Sequence, residues 1–221
     1  MTAIRIKIAA SVYGLLAVLA VFVGYFFRNT LDIYHHPSGL PVPPFPLVGG
    51  IILGGAAGVA FGMGITWLTR FSVYRFTWSR TLHTEFRGLF GPLRSRDILA
   101  FAVLSAVAEE MFFRGALQPM LGIIPTSLIF GMLHIAPSRK FIPWPFQAFA
   151  MGLAFGGLYW LSGDLSAPIM AHFTINYQNL HFINRYDPSL QLPRSFAEGS
   201  YSEAKNGTAE AAKDSGISTR E

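Results

Sequence analysis

Long apolar segments with few charges recur along this 221-residue chain and restrict what it can fold into. Inside a bilayer every backbone N–H and C=O group must find its partner within the protein, so apolar segments of this length predict helices that cross the membrane. Only 13% of the residues are charged, about half of the roughly 25% that is typical of soluble domains. The sequence therefore predicts an all-α fold, a polytopic transmembrane helical bundle.

About six apolar segments are predicted as transmembrane spans, and two of them have features that affect packing. The second span is rich in glycine at spacings that let helix backbones approach closely. The fourth is shorter than the ~20 residues of a straight span, so we expect it to be tilted or re-entrant. The predicted spans cover residues 8–27, 47–69, 97–117, 124–136, 144–161 and 165–183.

Residues 70–96 carry six arginines and leave two interpretations open. Apolar residues such as Leu82 and Phe86 recur at helical spacing, and most of the arginines fall on the opposite side of a helical wheel. This pattern is typical of an amphipathic helix that lies in the headgroup region of a membrane. A basic cytoplasmic loop with scattered aromatic residues is the alternative.

The distribution of basic residues predicts the orientation and the organisation of the chain. With six alternating spans, nearly all basic residues fall on one side, so the positive-inside rule predicts a multi-pass membrane protein with both termini in the cytoplasm. We expect the membrane to be a bacterial cell membrane. The net charge of +5 then reflects orientation, and no nucleic-acid partner is expected. The chain divides into N-terminal helices with the basic segment (1–96), a helical core (97–186) and a polar tail predicted to be disordered (187–221).

Two adjacent glutamates, Glu109 and Glu110, lie within the third predicted span. A carboxylate near the bilayer centre costs roughly 2.5–3.5 kcal/mol, and ionisable residues at such depth usually serve a function. Arg114 is four residues after Glu110 on the same helix face, so these two can pair. Glu109 is rotated by about 100° from Glu110 and cannot face the same arginine. We therefore expect Arg114 to hold Glu110 in a supporting role, which leaves Glu109 for a different task.

Further polar residues interrupt the fourth and sixth spans, namely His134, His172 and Asn176. A glutamate, two histidines and an asparagine in a wet cavity suit hydrolysis, because a carboxylate can take a proton from water and the other groups can stabilise an oxyanion. Two histidines and a carboxylate are also enough to bind a catalytic divalent metal such as zinc, with Glu109, His134 and His172 as its ligands. No cofactor is required by the first interpretation.

Three short motifs at these positions resemble those of the CAAX-protease and bacteriocin-processing family of intramembrane proteases. Glu109, Glu110 and Arg114 match E-E-x-x-x-R, Phe130 and His134 match F-x-x-x-H, and His172 and Asn176 match H-x-x-x-N. Each motif alone is weak, but their order on separate apolar segments is specific. The first ~95 residues carry no comparable signature.

The resemblance implies that the core is CAAX-protease-like and catalytic, with a cavity that faces the cytoplasm and endopeptidase activity. It makes Glu109 the base that activates water and His134 its assistant. It assigns His172 and Asn176 to the oxyanion or to a metal, and Glu110, Arg114 and Phe130 to supporting roles. The substrate would be a membrane-associated protein or peptide, such as a prenylated protein, a bacteriocin leader or a sorted surface protein.

Other functions are constrained by what the sequence contains. With no cysteine there is no cysteine nucleophile, and the H-E-x-x-H, G-x-G-D and G-x-S-x-G signatures of other intramembrane proteases are absent. A non-proteolytic immunity or scaffold protein of the same fold remains an alternative. A proton-coupled carrier is a third, against which the lack of an internal repeat argues.

Overall fold

The computed structural model describes residues 2–37, 47–136 and 138–191, and within these ranges the chain forms helices and no β-strand. The predicted all-α class is therefore confirmed. Eight α-helices occur in the described residues: α1 Thr2–Arg28, α2 Leu47–Arg75, α3 Thr77–Phe90, α4 Ser95–Glu110, α5 Gln118–Leu121, α6 Ile123–Met132, α7 Pro143–Ser162 and α8 Ser166–Arg185. A π-helical segment, Met111–Leu117, joins α4 to α5.

A helix lies in each apolar segment predicted from the sequence, although the fourth ends at Met132. Within the described residues, three helical regions are long and apolar enough to cross a membrane by length and composition. These regions are Ile4–Arg28, Gly49–Arg75 and Arg139–Ser162. The fourth predicted segment forms the short helix α6, with only 10 residues. Large apolar side chains on the outside of α1, such as Leu15 and Val18, are exposed, as expected where lipid contacts a helix. The chain is an integral membrane protein.

The basic segment contains an amphipathic helix, as one of the two sequence interpretations predicted. The second span continues beyond its predicted end at Thr69 to Arg75, and the chain turns at Phe76, whose backbone is extended. Helix α3 then turns Ser79, Leu82 and His83 toward the bundle. Its other side is of mixed polarity, with Trp78, Thr84 and Leu89 exposed.

Helices α2 and α8 form the most extensive helix pair in the bundle because glycines on α2 remove the side chains that would separate them. A Cβ atom on Gly58 would overlap the backbone of Ala167, and one on Gly62 would lie 2.7 Å from the Cβ of Thr174. This close approach agrees with the packing expected from the glycine spacing. It also fixes α8, the helix that carries His172 and Asn176.

The π-helical segment directly follows the glutamate pair, and such segments often mark functional sites. A π-helix changes the register of the backbone hydrogen bonds, and some of its carbonyl groups then need hydrogen-bond donors from other parts of the protein. Arg28, at the end of α1, donates a hydrogen bond to the carbonyl of Gly115. A side chain at Gly115 would collide with the backbone of Ile33, so the loop after α1 lies directly against this segment.

Residues 187–221 form a unit separate from residues 1–186. Within this unit, Pro188–Gln191 form a short 3₁₀ helix. Residues 192–221, the rest of the tail predicted to be disordered, lie outside the described residues. The division of the helical part at residue 96 stays a prediction.

Candidate active site

The four residues predicted to be catalytic line one cavity of about 540 Å³ inside the bundle. Glu109 enters it from α4, and His134 enters it just beyond the end of α6. His172 and Asn176 enter it from adjacent turns of α8. The cavity extends along the inner faces of α2, α3 and α7, whose lining side chains are mostly apolar but include polar ones such as Ser72, His83 and Gln147.

Glu110 does not reach this cavity but lies in a buried ion cluster, which we define as Glu110, Arg114 and His172. The Glu110 side chain is fully buried, and its Oε2 lies 3.1 Å from Nε of Arg114. This is the pairing expected from the i,i+4 spacing. The Oε1 atom lies 2.6 Å from Nδ1 of His172, a contact that the spacing did not predict. The second ring nitrogen of His172 is left for the cavity.

Arg114 has an environment that compensates for burying a full positive charge. Besides pairing with Glu110, it donates a hydrogen bond of 3.2 Å from an Nη atom to the carbonyl of Gly152. Its guanidinium carbon lies 4.6 Å from the ring centre of Phe130 and 5.3 Å from that of Phe155. Since cation–π contacts gain strength when they are desolvated, the two rings help to hold the arginine. Phe130, the first residue of the F-x-x-x-H motif, therefore contacts Arg114.

His172 is held on two sides, which fixes the orientation of its ring. Phe155 stacks against the imidazole at a ring distance of 5.1 Å, and the Glu110 carboxylate binds Nδ1. A carboxylate at one ring nitrogen places a proton there and defines the role of the other nitrogen. Nε2 is then an acceptor in the neutral ring and a donor in the charged one.

Glu109 has the opposite environment to Glu110. Its side chain is only partly buried, and its Oε2 atom is shielded from solvent without a hydrogen-bond partner among the described residues. The hydroxyl group of Tyr13, on α1, interacts with this carboxylate and also lines the cavity. A carboxylate with spare acceptor capacity in a cavity can bind a water molecule or a substrate group.

Asn176 and His134 are each anchored by one hydrogen bond. The Asn176 amide donates to the Ser105 hydroxyl at 2.9 Å, and that hydroxyl donates to the carbonyl of Phe101 at 2.8 Å. One N–H of the amide therefore remains for another acceptor. Nδ1 of His134 lies 2.7 Å from the Phe130 carbonyl and so carries the proton, which makes its Nε2 an acceptor in the neutral ring.

The three residues considered as metal ligands do not converge on one point. Among residues 2–37, 47–136 and 138–191, no three or more histidine, cysteine, aspartate or glutamate side chains come together as a metal site would require. His134 and His172 each keep Nε2 free, since only Nδ1 is engaged, so the described arrangement lacks convergence of the three side chains and not donor atoms. The described geometry does not fit a three-ligand zinc site built from Glu109, His134 and His172.

Two residues of the site were missed by sequence reasoning. Ser105 lies one helical turn before Glu109, so a hydroxyl on the glutamate face of an apolar helix was an available signal. Tyr13 had no such signal, because it lies in the N-terminal region that carries no motif, among residues that face outward. Only the packing of α1 against α4 brings it to the cavity.

Comparison with known proteins agrees with the three motifs. Residues 93–178 match the model of a family described as type II CAAX prenyl endopeptidase Rce1-like. The matched region contains every residue of the buried ion cluster and all four predicted catalytic residues. The family resemblance predicted from the motifs is therefore confirmed for this part of the chain.

Curated relatives add only partial matches. The chain is 38% identical over 79 residues to uncharacterized protein YpbD of Bacillus subtilis, which covers 36% of this chain and 41% of that protein. It is also 31% identical over 109 residues to polyamine aminopropyltransferase 2 of Ralstonia nicotianae, which covers 48% of this chain and 21% of that enzyme. The chain thus spans less than half the length of these relatives. No solved structure matches it.

Proposed function

We propose that this protein is an intramembrane endopeptidase that hydrolyses a peptide bond of a membrane-associated protein or peptide. The observation that carries the proposal is the common cavity of Glu109, His134, His172 and Asn176. The match of residues 93–178 to a prenyl endopeptidase family supports the reaction class.

Glu109 is the base in this mechanism, because it is the glutamate of the pair that can meet water. Glu110 has its oxygens engaged by Arg114 and His172 and is sealed from solvent. Glu109 lines the cavity, is only partly buried and is in none of the ion pairs found among the described residues. It accepts a proton from a water molecule as the water oxygen adds to the scissile carbonyl carbon. General-base catalysis of this kind contributes about 10²–10⁴-fold to a rate.

Asn176 and His172 face the oxyanion that forms in this step. Asn176 offers its remaining amide N–H, and the Ser105 hydroxyl keeps that amide in position. His172 offers Nε2–H when its ring carries both protons, while the Glu110 carboxylate engages Nδ1 and keeps the ring in position. Fixed donors aimed at developing charge often supply the largest share of catalysis. Glu110 and Arg114 act through His172 and are positioning residues.

Collapse of the tetrahedral intermediate completes the reaction. The carbon–nitrogen bond breaks, and the leaving amine takes the proton that Glu109 removed from water. His134, with Nδ1 engaged by the Phe130 carbonyl, assists by accepting a hydrogen bond from the water or the amine at Nε2. One water is consumed, one carboxylate and one amine are produced, and Glu109 returns to its starting state.

The substrate reaches this site from the cytoplasmic side in our proposal. Basic residues of separate elements meet at one end of the bundle, since Arg5 of α1 donates to the carbonyl of Phe90 and Lys140 pairs with Glu85 of α3 at 2.7 Å. The positive-inside rule places that end, and with it both termini, in the cytoplasm. The cavity walls contributed by α3 and by the ends of α2 and α8 lie at the same end.

Proteomic comparison of chain termini tests the activity without a known substrate. Cells would express the wild-type chain, Glu109→Gln or the matched surface variant Glu85→Gln, and new termini would be measured in the membrane fraction. We expect termini that appear with the wild type and with Glu85→Gln but not with Glu109→Gln. A synthetic peptide that spans the identified bond would then be cleaved by purified protein in proteoliposomes.

The substrate class is tested in the same proteoliposomes. A prenylated peptide and its unprenylated counterpart distinguish CAAX-type processing from cleavage of a leader or a sorting tail. If neither new termini nor peptide cleavage depends on Glu109, while the protein still supports a cellular phenotype, the immunity or scaffold alternative replaces the protease.

A further inference from the structure

A second cavity, of about 290 Å³, lies between α2 and α8 near the C-terminal ends of both helices. Its polar lining is basic and contains no acidic residue. Phe182 also lines the catalytic cavity, so the two cavities are neighbours. The residues that line the second cavity, called the basic pocket below, are Arg70, Tyr177, Gln178, His181, Phe182 and Arg185.

The side chains of the basic pocket are held in place but are not neutralised. Arg70 donates to the Gln178 side chain at 2.8 Å, and its guanidinium carbon lies 5.6 Å from the ring centre of Phe182. Nε of Arg70 and Nε2 of His181 are shielded from solvent and lack hydrogen-bond partners among the described residues. Ion pairs within those residues include neither Arg70, His181 nor Arg185. The pocket thus combines a partly buried arginine that has an unused N–H group with an exposed arginine, and both can donate hydrogen bonds to an anion.

The surroundings of the pocket favour a lipid as the source of that anion. Tyr74, which is 56% exposed, contacts the pocket wall with its ring centre 5.9 Å from that of Phe182. Phe71 and Trp67 lie one and two turns earlier on the same helix. Their ring centres are 6.0 Å apart, and both side chains are exposed. Exposed aromatic side chains at the end of an apolar helix are typical of the membrane interface, where lipid headgroups lie. Basic pockets between helix ends at this level bind lipid phosphate groups.

We infer that the basic pocket binds the phosphate group of an anionic phospholipid between the ends of α2 and α8. The guanidinium groups of Arg70 and Arg185 donate to the phosphate oxygens, since the arginine fork matches phosphate geometry. The glycerol and acyl chains extend from there toward the middle of α2, over the exposed side chains of Phe71 and Trp67. Occupancy would tie together the two helices whose packing positions His172 and Asn176. The assignment does not depend on the proposed protease activity.

Native mass spectrometry of the purified full chain, released from nanodiscs, tests the assignment. The nanodiscs would contain phosphatidylglycerol and phosphatidylcholine in equal amounts, and the readout is the lipid that stays bound. We expect the wild type to retain one phosphatidylglycerol molecule. The double variant Arg70→Gln/Arg185→Gln should bind this lipid with a Kd that is about tenfold higher. The matched control is Arg75→Gln, because Arg75 is an exposed arginine of α2 outside the pocket. It should retain lipid as the wild type does.

The results distinguish a lipid site from a simple anion site and from a substrate site. Equal retention of the two lipids by the wild type, or unchanged retention by the double variant, would overturn it. Displacement of the lipid by inorganic phosphate alone would indicate a simple anion site. A raised KM for a peptide substrate with a free carboxyl terminus, without any change in lipid retention, would assign the pocket to the substrate instead. Circular dichroism and gel filtration confirm that each variant is folded.

Discussion

Glu109 and Glu110 are adjacent in sequence but belong to two different regions of the molecule. Glu110 lies in the buried ion cluster, where Arg114 and His172 engage its oxygens. Glu109 lines the cavity and is in none of the ion pairs found among the described residues. The same functional group is thus buried beside an arginine and a histidine in one region and borders the cavity in the other. Partners and access to water, more than residue type, therefore decide which carboxylate can act as a base.

The strongest test of this contrast is Glu109→Gln, which keeps the shape of the side chain and removes the base. We expect cleavage to fall by about 10²–10⁴-fold, the usual contribution of a general base. Stability should hardly change, because the side chain is only partly buried and is not part of an ion pair. Initial rates in proteoliposomes and unfolding by denaturant measure the two quantities. A variant that is inactive only because it is unfolded would contradict the proposed separation.

The buried ion cluster should show the reverse pattern, with a large effect on stability. Arg114→Met leaves the Glu110 charge buried beside His172 alone, and breaking a buried pair costs about 3–5 kcal/mol. We expect a lower free energy of unfolding and a lower yield of folded protein. Arg75→Met is the control, because Arg75 is exposed and lies over Phe76 with its guanidinium carbon 5.8 Å from the ring centre.

A double substitution, Glu110→Gln with Arg114→Met, separates the effect of the cluster on stability from its effect on activity. Removing both charges should recover part of the stability that Arg114→Met loses, since no unpaired charge remains. Activity should stay low, because His172 then lacks the carboxylate that orients its ring. Recovery of activity together with stability would show that the cluster has no positioning role.

Asn176→Ala and Ser105→Ala distinguish a donor from the residue that holds it. Loss of an oxyanion donor typically lowers kcat by about 10²–10³-fold, which we expect for Asn176→Ala. Ser105→Ala should cost less, about tenfold, because Asn176 stays present but loses its anchor, and a net hydrogen bond is worth roughly 0.5–1.5 kcal/mol. Equal losses in kcat for both variants would contradict this order.

The contacts of the site that depend on local spacing could be predicted from the sequence. Glu110 and Arg114 are one helical turn apart, so their contact follows from helix geometry. The contact between His172 and Glu110 joins residues 62 positions apart and depends on how α8 packs against α4. The motifs indicated that both residues belong to one site, but not which glutamate the histidine would bind.

The helices and one of their close contacts could likewise be predicted from the sequence. Apolar runs located the helices, and the glycines of α2 indicated where two helices approach closely. The π-helical segment had no recognisable signal, because its register depends on contacts from Arg28 and Ile33 that lie far away in sequence. Helix ends also shifted, as for α2, whose last turn contributes to the amphipathic segment that the sequence assigned to a separate element.

Tyr13→Phe is the mildest test of the contrast between the two glutamates. The substitution removes a hydroxyl that interacts with Glu109 and leaves the ring that packs at the cavity. We expect a two- to fivefold decrease in kcat, roughly what a modest hydrogen bond contributes, with little change in stability. Tyr25→Phe, at an exposed position of the same helix, is the matched control and should leave the rate unchanged. If Tyr13→Phe behaved like Tyr25→Phe, the N-terminal helix would only enclose the site, and the chemistry would lie wholly within the region 93–178 that resembles known endopeptidases.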